Sequence, residues 1–197
     1  VNNPFDKLID SYLDNKLGID TGFISERLSH GLQENIKQLH QDKKMSNAGI
    51  GNALIKDASQ QMRGDHIYWM DKKHNNAFEQ EFLQLAEQFI DHLNSTCYTG
   101  INESEFHYAV YEKGSSYKRH TDQFKNNNNR KYSLITYLND SWLEEDGGQL
   151  QVYQQESTQQ VLPHSQTAVF FKSDELEHEV MKANRQRMSI SGWLKQV

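Results

Sequence analysis

From Ser25 to His40 the apolar residues Leu28, Leu32, Ile36 and Leu39 recur every three or four positions. Ser25 stands where an N-cap would, so the pattern predicts a helix with one buried face. A second stripe, Phe78, Phe82, Leu85, Phe89 and Leu93, predicts a longer helix from about Asn76 to Asn94. Its large side chains at helical spacing read as packing surface against a sheet. After Asn102 the period changes, and short runs rich in Val, Ile, Tyr, Phe and Thr stand between turn signals. Strands are expected over Phe106 to Tyr111, Tyr132 to Leu138, Gln149 to Tyr153, Thr167 to Phe171 and Met188 to Leu194. Asp146-Gly147-Gly148 makes a tight turn, and Asn126 to Asn129 a polar loop. Helices first and strands second predict a mainly β protein of the α+β class, an antiparallel core buttressed by N-terminal helices.

With 197 residues, 36% of them hydrophobic, the chain can bury a substantial core as a single domain over 1–197. Helical support is expected over about residues 1–100 and the main β motifs over about 102–195. Nothing approaches the roughly 18 apolar residues of a membrane span. Val1 to Asp10 lacks a secretory pattern, which predicts a soluble protein with no membrane partner. The lone cysteine, Cys97, fits a reducing compartment, the cytoplasm, and excludes a cysteine-based zinc cage. A net charge of -6 argues against nucleic acid as a partner. Among nine histidines, His30, His40 and His92 read as solvated helix residues.

His120 and Asp122 are separated by one residue, so on an extended strand both side chains leave the same face and can converge on one ion. A third ligand can come from His178, which begins the extended segment His178 to Met181. Two His and one carboxylate on one side of an octahedral ion leave three positions open, the geometry of non-haem Fe(II) oxygenases. Two of those positions suit a bidentate oxoacid and the third dioxygen. Taken alone, a His-x-Asp pair is a common hydrated surface tripeptide. Zinc also accepts these ligands, but is normally four-coordinate. His164, between Pro163 and Ser165, is an alternative third ligand whose turn-like context predicts exposure, and His178 is preferred. Arg185 and Arg187 precede the last strand, and a guanidinium fork can hold a carboxylate bidentately. Strand parity does not choose between them.

The whole pattern, from roughly Phe23 to Trp193, resembles the prolyl 4-hydroxylases related to the hypoxia-inducible-factor enzymes. The stretch Tyr111-Glu-Lys-Gly-Ser-Ser-Tyr117-Lys-Arg-His120-Thr-Asp122 is similar to the family segment that delivers the first two iron ligands. Tyr137-Leu-Asn, Gly147-Gly148-Gln-Leu150 and His178-Glu-Val follow in the family's order. In that family an arginine for 2-oxoglutarate stands nine residues after the second histidine and six before a tryptophan. Arg187 and Trp193 meet both spacings. Met62-Arg63-Gly64-Asp65-His-Ile-Tyr-Trp69 resembles a segment of the prolyl branch in particular.

The resemblance implies a double-stranded β-helix (jelly-roll) fold that uses Fe(II), 2-oxoglutarate and O2, with ascorbate as a reductant. It implies that Tyr137 shares the distal oxoacid carboxylate with Arg187, and that Tyr111 and Ser191 lie close by. It implies Asp65 in contact with Tyr117, Arg63 at the substrate entrance, and Arg130 and Trp193 against a target proline. The implied product is 4-hydroxyproline in a protein substrate, for which a translation elongation factor is a candidate. The Tyr111 segment is one residue shorter than in the animal enzymes and the loop before Arg130 differs, which leaves the target sequence open. Two rival functions are an oxygenase for a free amino acid or small metabolite, and a catalytically silent metal-binding jelly roll acting as a sensor.

Overall fold

The computed structural model describes residues 3–49, 63–123, 128–155 and 157–197. Val1 and Met62, and Asn126 and Asn127 of the asparagine loop, lie outside the described residues. Both expected helices are present. In α2, Glu26–Gln41, the Ser25 hydroxyl accepts from the Leu28 N–H at 3.2 Å. The longer helix α3, Ala77–Cys97, starts on Asn76, whose side chain accepts from the Phe78 and Glu79 N–H groups, and runs three residues past Asn94. Such caps satisfy donors that a helix start otherwise leaves open. A short helix α1, Asp6–Asn15, was not anticipated, because only Leu8 and Ile9 of it are buried and so few positions make a weak stripe.

The strands are β1 Gly18–Asp20, β2 Ser46–Asn47, β3 Asp65–Trp69, β4 Glu103–Tyr111, β5 Tyr117–His120, β6 Arg130–Tyr137, β7 Leu150–Tyr153, β8 Thr158–Val161, β9 Ala168–Lys172, β10 Glu177–Val180 and β11 Arg187–Lys195. A major sheet runs β1-β9-β6-β11-β4-β3-β2 and a minor sheet β5-β10-β7-β8, with antiparallel pairing throughout. Facing each other, they make the double-stranded β-helix. The first hundred residues therefore supply β1, β2 and β3 to the major sheet as well as helices.

Alternation along the central strands divides the core in two. Phe106, Tyr108 and Val110 of β4, with Leu134, Phe170 and Ile190, pack under the helices and Phe82, Phe89 and Leu93 of α3. Ala109, Tyr111, Ile135, Tyr137 and Phe171 point the other way, toward Leu150, Val152 and Val180 of the minor sheet. Central strands covered on both faces read as nearly continuous apolar runs. Among the histidines, His30 is exposed as expected. His92 is not solvated but half-buried: it bonds Asp6 at 2.8 Å and packs on Phe5, tying α3 to α1. His40 is half-buried and pairs with Glu112 at 3.0 Å. No helix among the described residues is long and apolar enough to cross a membrane.

Candidate active site

Pairing across β6, β11, β4 and β3 arranges the cavity-facing residues in rows. Arg187 stands beside Tyr111 and Asp65; Ser189 beside Tyr137, Ala109 and Ile67; Ser191 beside Ile135, His107 and Trp69; and Trp193 beside Ser133 and Glu105. At about 3.3 Å per residue, Arg187 and Trp193 are roughly 20 Å apart along the strand, which gives the cavity an inner and an outer end.

The minor sheet brings His120, at the end of β5, opposite His178 in β10. Asp122 follows just after β5, its N–H donating to the Ser173 carbonyl at 3.1 Å. Asp122 Oδ1 lies 3.5 Å from His120 Nε2 and 3.6 Å from His178 Nε2, and one ligand atom from each residue falls within 4.8 Å of the others. Each imidazole is oriented from behind, His120 Nδ1 donating to the Lys118 carbonyl at 2.7 Å and His178 Nδ1 to the Leu176 carbonyl at 3.1 Å. That fixes the tautomer and turns the Nε2 lone pairs to the common point. Asp122 Oδ2 accepts from the Ser133 hydroxyl at 2.6 Å, leaving Oδ1 for the ion. Tyr117 stacks on His120 at 3.6 Å, and Phe171 meets His178 edge-on at 4.9 Å. Burial opposes the Asp122 charge, yet His178, His120 and Ser133 hold its carboxyl well below the usual carboxylate range. Burial keeps His178 below its ordinary value, against the pull of Asp122. Both residues are thus in the form that binds a cation, and this donor set fits a divalent metal.

Deeper in, Arg187 is buried, its Nε donating to the Gly148 carbonyl at 2.8 Å and Nη1 reaching Ser189 Oγ at 3.5 Å. Gly148 has φ +65, and a Cβ there would come 3.0 Å from Arg187 Cδ, so the expected glycine turn also makes room for the guanidinium. The guanidinium carbon lies 5.1 Å from the Tyr111 ring centre and 5.0 Å from that of Tyr137. No carboxylate among the described residues pairs with Arg187, and the buried Tyr137 hydroxyl has no hydrogen-bond partner there. Burial pushes Tyr137 up to about 12 against the influence of Arg187, and pushes Tyr111 well above its ordinary value, so both phenols remain protonated donors. A buried cation beside an unpaired hydroxyl is a site for a small carboxylate. Ser191 lines the same chamber. Arg185, in contrast, is only half-buried, stacks on Trp142 and pairs with Asp146 at 3.5 Å. His164 is exposed.

Next to the Arg187 row, Arg63 grips Asp65 through two bonds of 2.6 and 2.8 Å and lies 4.9 Å from the Tyr117 ring centre. The direct Asp65–Tyr117 contact implied by resemblance is replaced by a link through Arg63, because Asp65 is already occupied by the guanidinium two residues before it. Arg130 is held by Glu105 at 2.7 and 3.1 Å, donates to the Asp122 carbonyl at 3.4 Å and stacks 3.4 Å over the Trp193 ring. Its position couples the mouth to the backbone of the triad.

Residues 106–195 match the family model of the 2OG-Fe(II) oxygenase superfamily. The chain carries a 2OG-Fe(II) oxygenase domain. It is 31% identical over 142 residues to a hypoxia-inducible factor prolyl hydroxylase of Caenorhabditis elegans, an alignment covering 67% of this chain and 20% of that protein. The chain thus spans about a fifth of the length of that curated relative. Its structure resembles that of a Pseudomonas putida prolyl-4-hydroxylase, with a TM-score of 0.87 and 27% identity over 96% of this chain and 97% of the other. It shares the fold of a Trichoplax adhaerens prolyl hydroxylase bound to a hypoxia inducible factor peptide fragment, with a TM-score of 0.87, 22% identity, and 97% and 88% coverage. The oxygenase family needs Fe(II), 2-oxoglutarate and O2, and the triad has the donor set for that metal.

Three residues of the candidate site went unpredicted. Ser133 and Ser173 lie behind Asp122, 3.0 Å apart. His107 lines both the inner chamber and the mouth. Parity was the available signal for two of them, since Ser133 shares strand phase with Tyr137 and His107 with Tyr111. Ser173 is placed by the turn after β9, which periodicity does not reach.

Proposed function

We propose that this chain is a 2-oxoglutarate- and Fe(II)-dependent dioxygenase that hydroxylates a prolyl residue of a polypeptide to 4-hydroxyproline, releasing succinate and CO2. The observation that carries the reading is a pair of adjoining cavities, with Arg63, His107, Tyr117, Asp122 and Trp193 as shared walls, that combine the His120, Asp122 and His178 triad, the unmatched Arg187 charge and an arginine–aromatic mouth. Iron chelating 2-oxoglutarate supplies the oxidising power to hydroxylate an unactivated carbon with dioxygen, while the oxoacid is decarboxylated. The protein supplies position. His120, Asp122 and His178 ligate; Lys118, Leu176 and Ser133 aim those ligands. Arg187 and Tyr137 hold the distal carboxylate of the oxoacid, with Tyr111 and Ser191 as chamber walls. Arg63, clamped by Asp65 and lying over Tyr117, and Arg130, stacked on Trp193, form the edge that meets the substrate.

The domain extent proposed is the whole of 1–197, with the helical layer supporting the sheet that carries the site. A reducing compartment, the cytoplasm, suits the exposed unpaired Cys97. A translation elongation factor is a reasonable first target to assay, and ascorbate a reductant to include. The test is to incubate the iron-loaded protein and 2-oxoglutarate with proteome fractions and search by mass spectrometry for one added oxygen. Hydroxylated proline, with succinate release stimulated by the same fraction, is the expected result. Oxidation confined to another residue or to a free metabolite overturns the prolyl assignment.

A further inference from the structure

Among the described residues His107 is the one histidine on the cavity wall outside the triad, and it is 1% exposed. It lies in β4 beside Ser191 and Trp69, with its ring 5.0 Å from Trp69 and 5.4 Å from Trp193. Its Nε2 stands 3.5 Å from Arg63 Nη2. A guanidinium only donates, so Nε2 is the acceptor and the single proton of the neutral ring sits on Nδ1. Nδ1 is buried and has no partner among the described residues. The same is true of Nε1 of Trp193, the adjoining aromatic on the mouth wall. An indole nitrogen can only donate. The mouth therefore carries two unmatched donors side by side, while Asp65 and Glu105 are engaged by Arg63 and Arg130.

A wall of this kind asks for a ligand that brings acceptors. An Xaa–Pro segment does so: the amide nitrogen of proline bears no hydrogen, so around the target residue the backbone presents carbonyl oxygens without a matching N–H. We propose that His107 is a specificity residue whose Nδ1–H, with the Trp193 indole N–H, donates to carbonyl oxygens flanking the target proline. This rests on the prolyl reading above and adds the atoms that recognise the segment. Unmatched buried donors cost free energy in the empty cavity, and the peptide carbonyls remove that cost on binding.

The experiment uses an arrayed library of synthetic peptides varying the residues around one proline, with the iron-loaded wild-type protein and three variants. Taking the best-hydroxylated peptide, His107→Phe, which keeps a ring but no donor, raises the peptide KM about tenfold, with a much smaller change in kcat. His107→Asn, whose amide N–H lies near the Nδ1 position, restores most of the loss. His107→Gln, whose amide reaches toward Nε2, does not. Should the Phe variant fail to fold, the contrast between Asn and Gln decides. A reduced-amide peptide lacking the contacted carbonyl oxygen erases the difference between wild type and His107→Phe. Equal KM values for all forms, or no reduced-amide analogue that erases the difference, overturns the role of His107 and leaves the prolyl reading intact. A wild type that hydroxylates none of the prolines overturns both.

Discussion

Glu79 and Arg187 are both about 1% exposed, on opposite sides of the major sheet, and are completed in opposite ways. Glu79, in the helical layer, meets His74 Nδ1 at 2.7 Å, the Asp71 N–H at 3.0 Å and Asn35 at 3.4 Å. Arg187, on the cavity side, has one carbonyl and a distant hydroxyl, and no carboxylate among the described residues. Burying a charge costs several kcal/mol unless partners match it. Folding alone completes the first charge and leaves the second without a counter-ion among the described residues, the place the proposed function gives to 2-oxoglutarate. Tyrosine hydroxyls repeat the contrast, since Asn35 donates to Tyr108 at 3.0 Å on the helix side while Tyr137 has no partner among the described residues on the other. Thr136 Oγ1 and His66 Nδ1, on strand positions that alternate away from the cavity, are also without partners among the described residues. An orphan atom by itself therefore does not mark the site, whereas an unmatched buried charge does.

The strongest way to break the reading of the cavity side is to remove its proposed metal. Asp122→Ala takes away Oδ1, and anaerobic Fe(II) titration should show tight loading in the wild type and none in the variant. Ser133→Ala, which only releases the Asp122 carboxylate from behind, should weaken loading by about 10- to 100-fold. An Asp122→Ala protein that binds iron like the wild type would remove the triad assignment.

The next effect tests the comparison directly. Arg187→Met should cost about 2 to 5 kcal/mol of 2-oxoglutarate affinity, while the stability of the ligand-free protein stays level or rises, because an unmatched buried charge is lost. Glu79→Ala should do the reverse, lowering stability by about 1 to 3 kcal/mol as its buried donors lose their acceptor, with 2-oxoglutarate affinity retained. Chemical denaturation and co-substrate titration of both variants decide it. If both destabilise the empty protein alike, the contrast fails.

Tyr137→Phe should give a smaller loss than Arg187→Met in the same titration, about 1.5 to 3 kcal/mol for one hydrogen bond to a charged group. An unchanged affinity would mean that the unpaired hydroxyl does not face the oxoacid.

The smallest effect is in pH. Burial, then the neighbouring Arg63 charge, push His107 from its ordinary 6.5 down to about 3. Between those values the unfolded chain takes up a proton that the folded chain refuses. The contribution of His107 to stability is therefore full above 6.5 and declines as pH falls toward 3, by at most about 1.4 kcal/mol per pH unit. Denaturation of the metal-free protein near neutral and mildly acidic pH should show His107→Phe losing less stability on acidification than the wild type. Parallel losses would mean that His107 is protonated without cost.

Much of this was legible in the chain. The α2 and α3 stripes and caps, five of the β strands and the glycine turn follow from period and turn chemistry, which act over a few residues. The spacing of His120 and Asp122 carried their shared direction. Less legible were β1, β2 and β8, each only two to four residues long, because such strands are stabilised by their partners more than by their own pattern. His92 read as solvated for a related reason, since its partner Asp6 lies 86 residues away.

By itself the sequence determined the two longer helices and the five longer strands after them, which strand residues share a face, and the presence of a triad and a family-spaced arginine. Those properties are periodic or local, so neighbouring residues suffice to specify them. Only the tertiary structure decided that His178 pairs across the minor sheet with His120, and that Arg187 and not Arg185 is buried. It also decided that Arg63 stands between Asp65 and Tyr117, and that His107 Nδ1 and Trp193 Nε1 are left without acceptors among the described residues. Burial and unmatched polarity are properties of what surrounds an atom, and here the surroundings come from strands distant in sequence that meet only when two sheets close on each other.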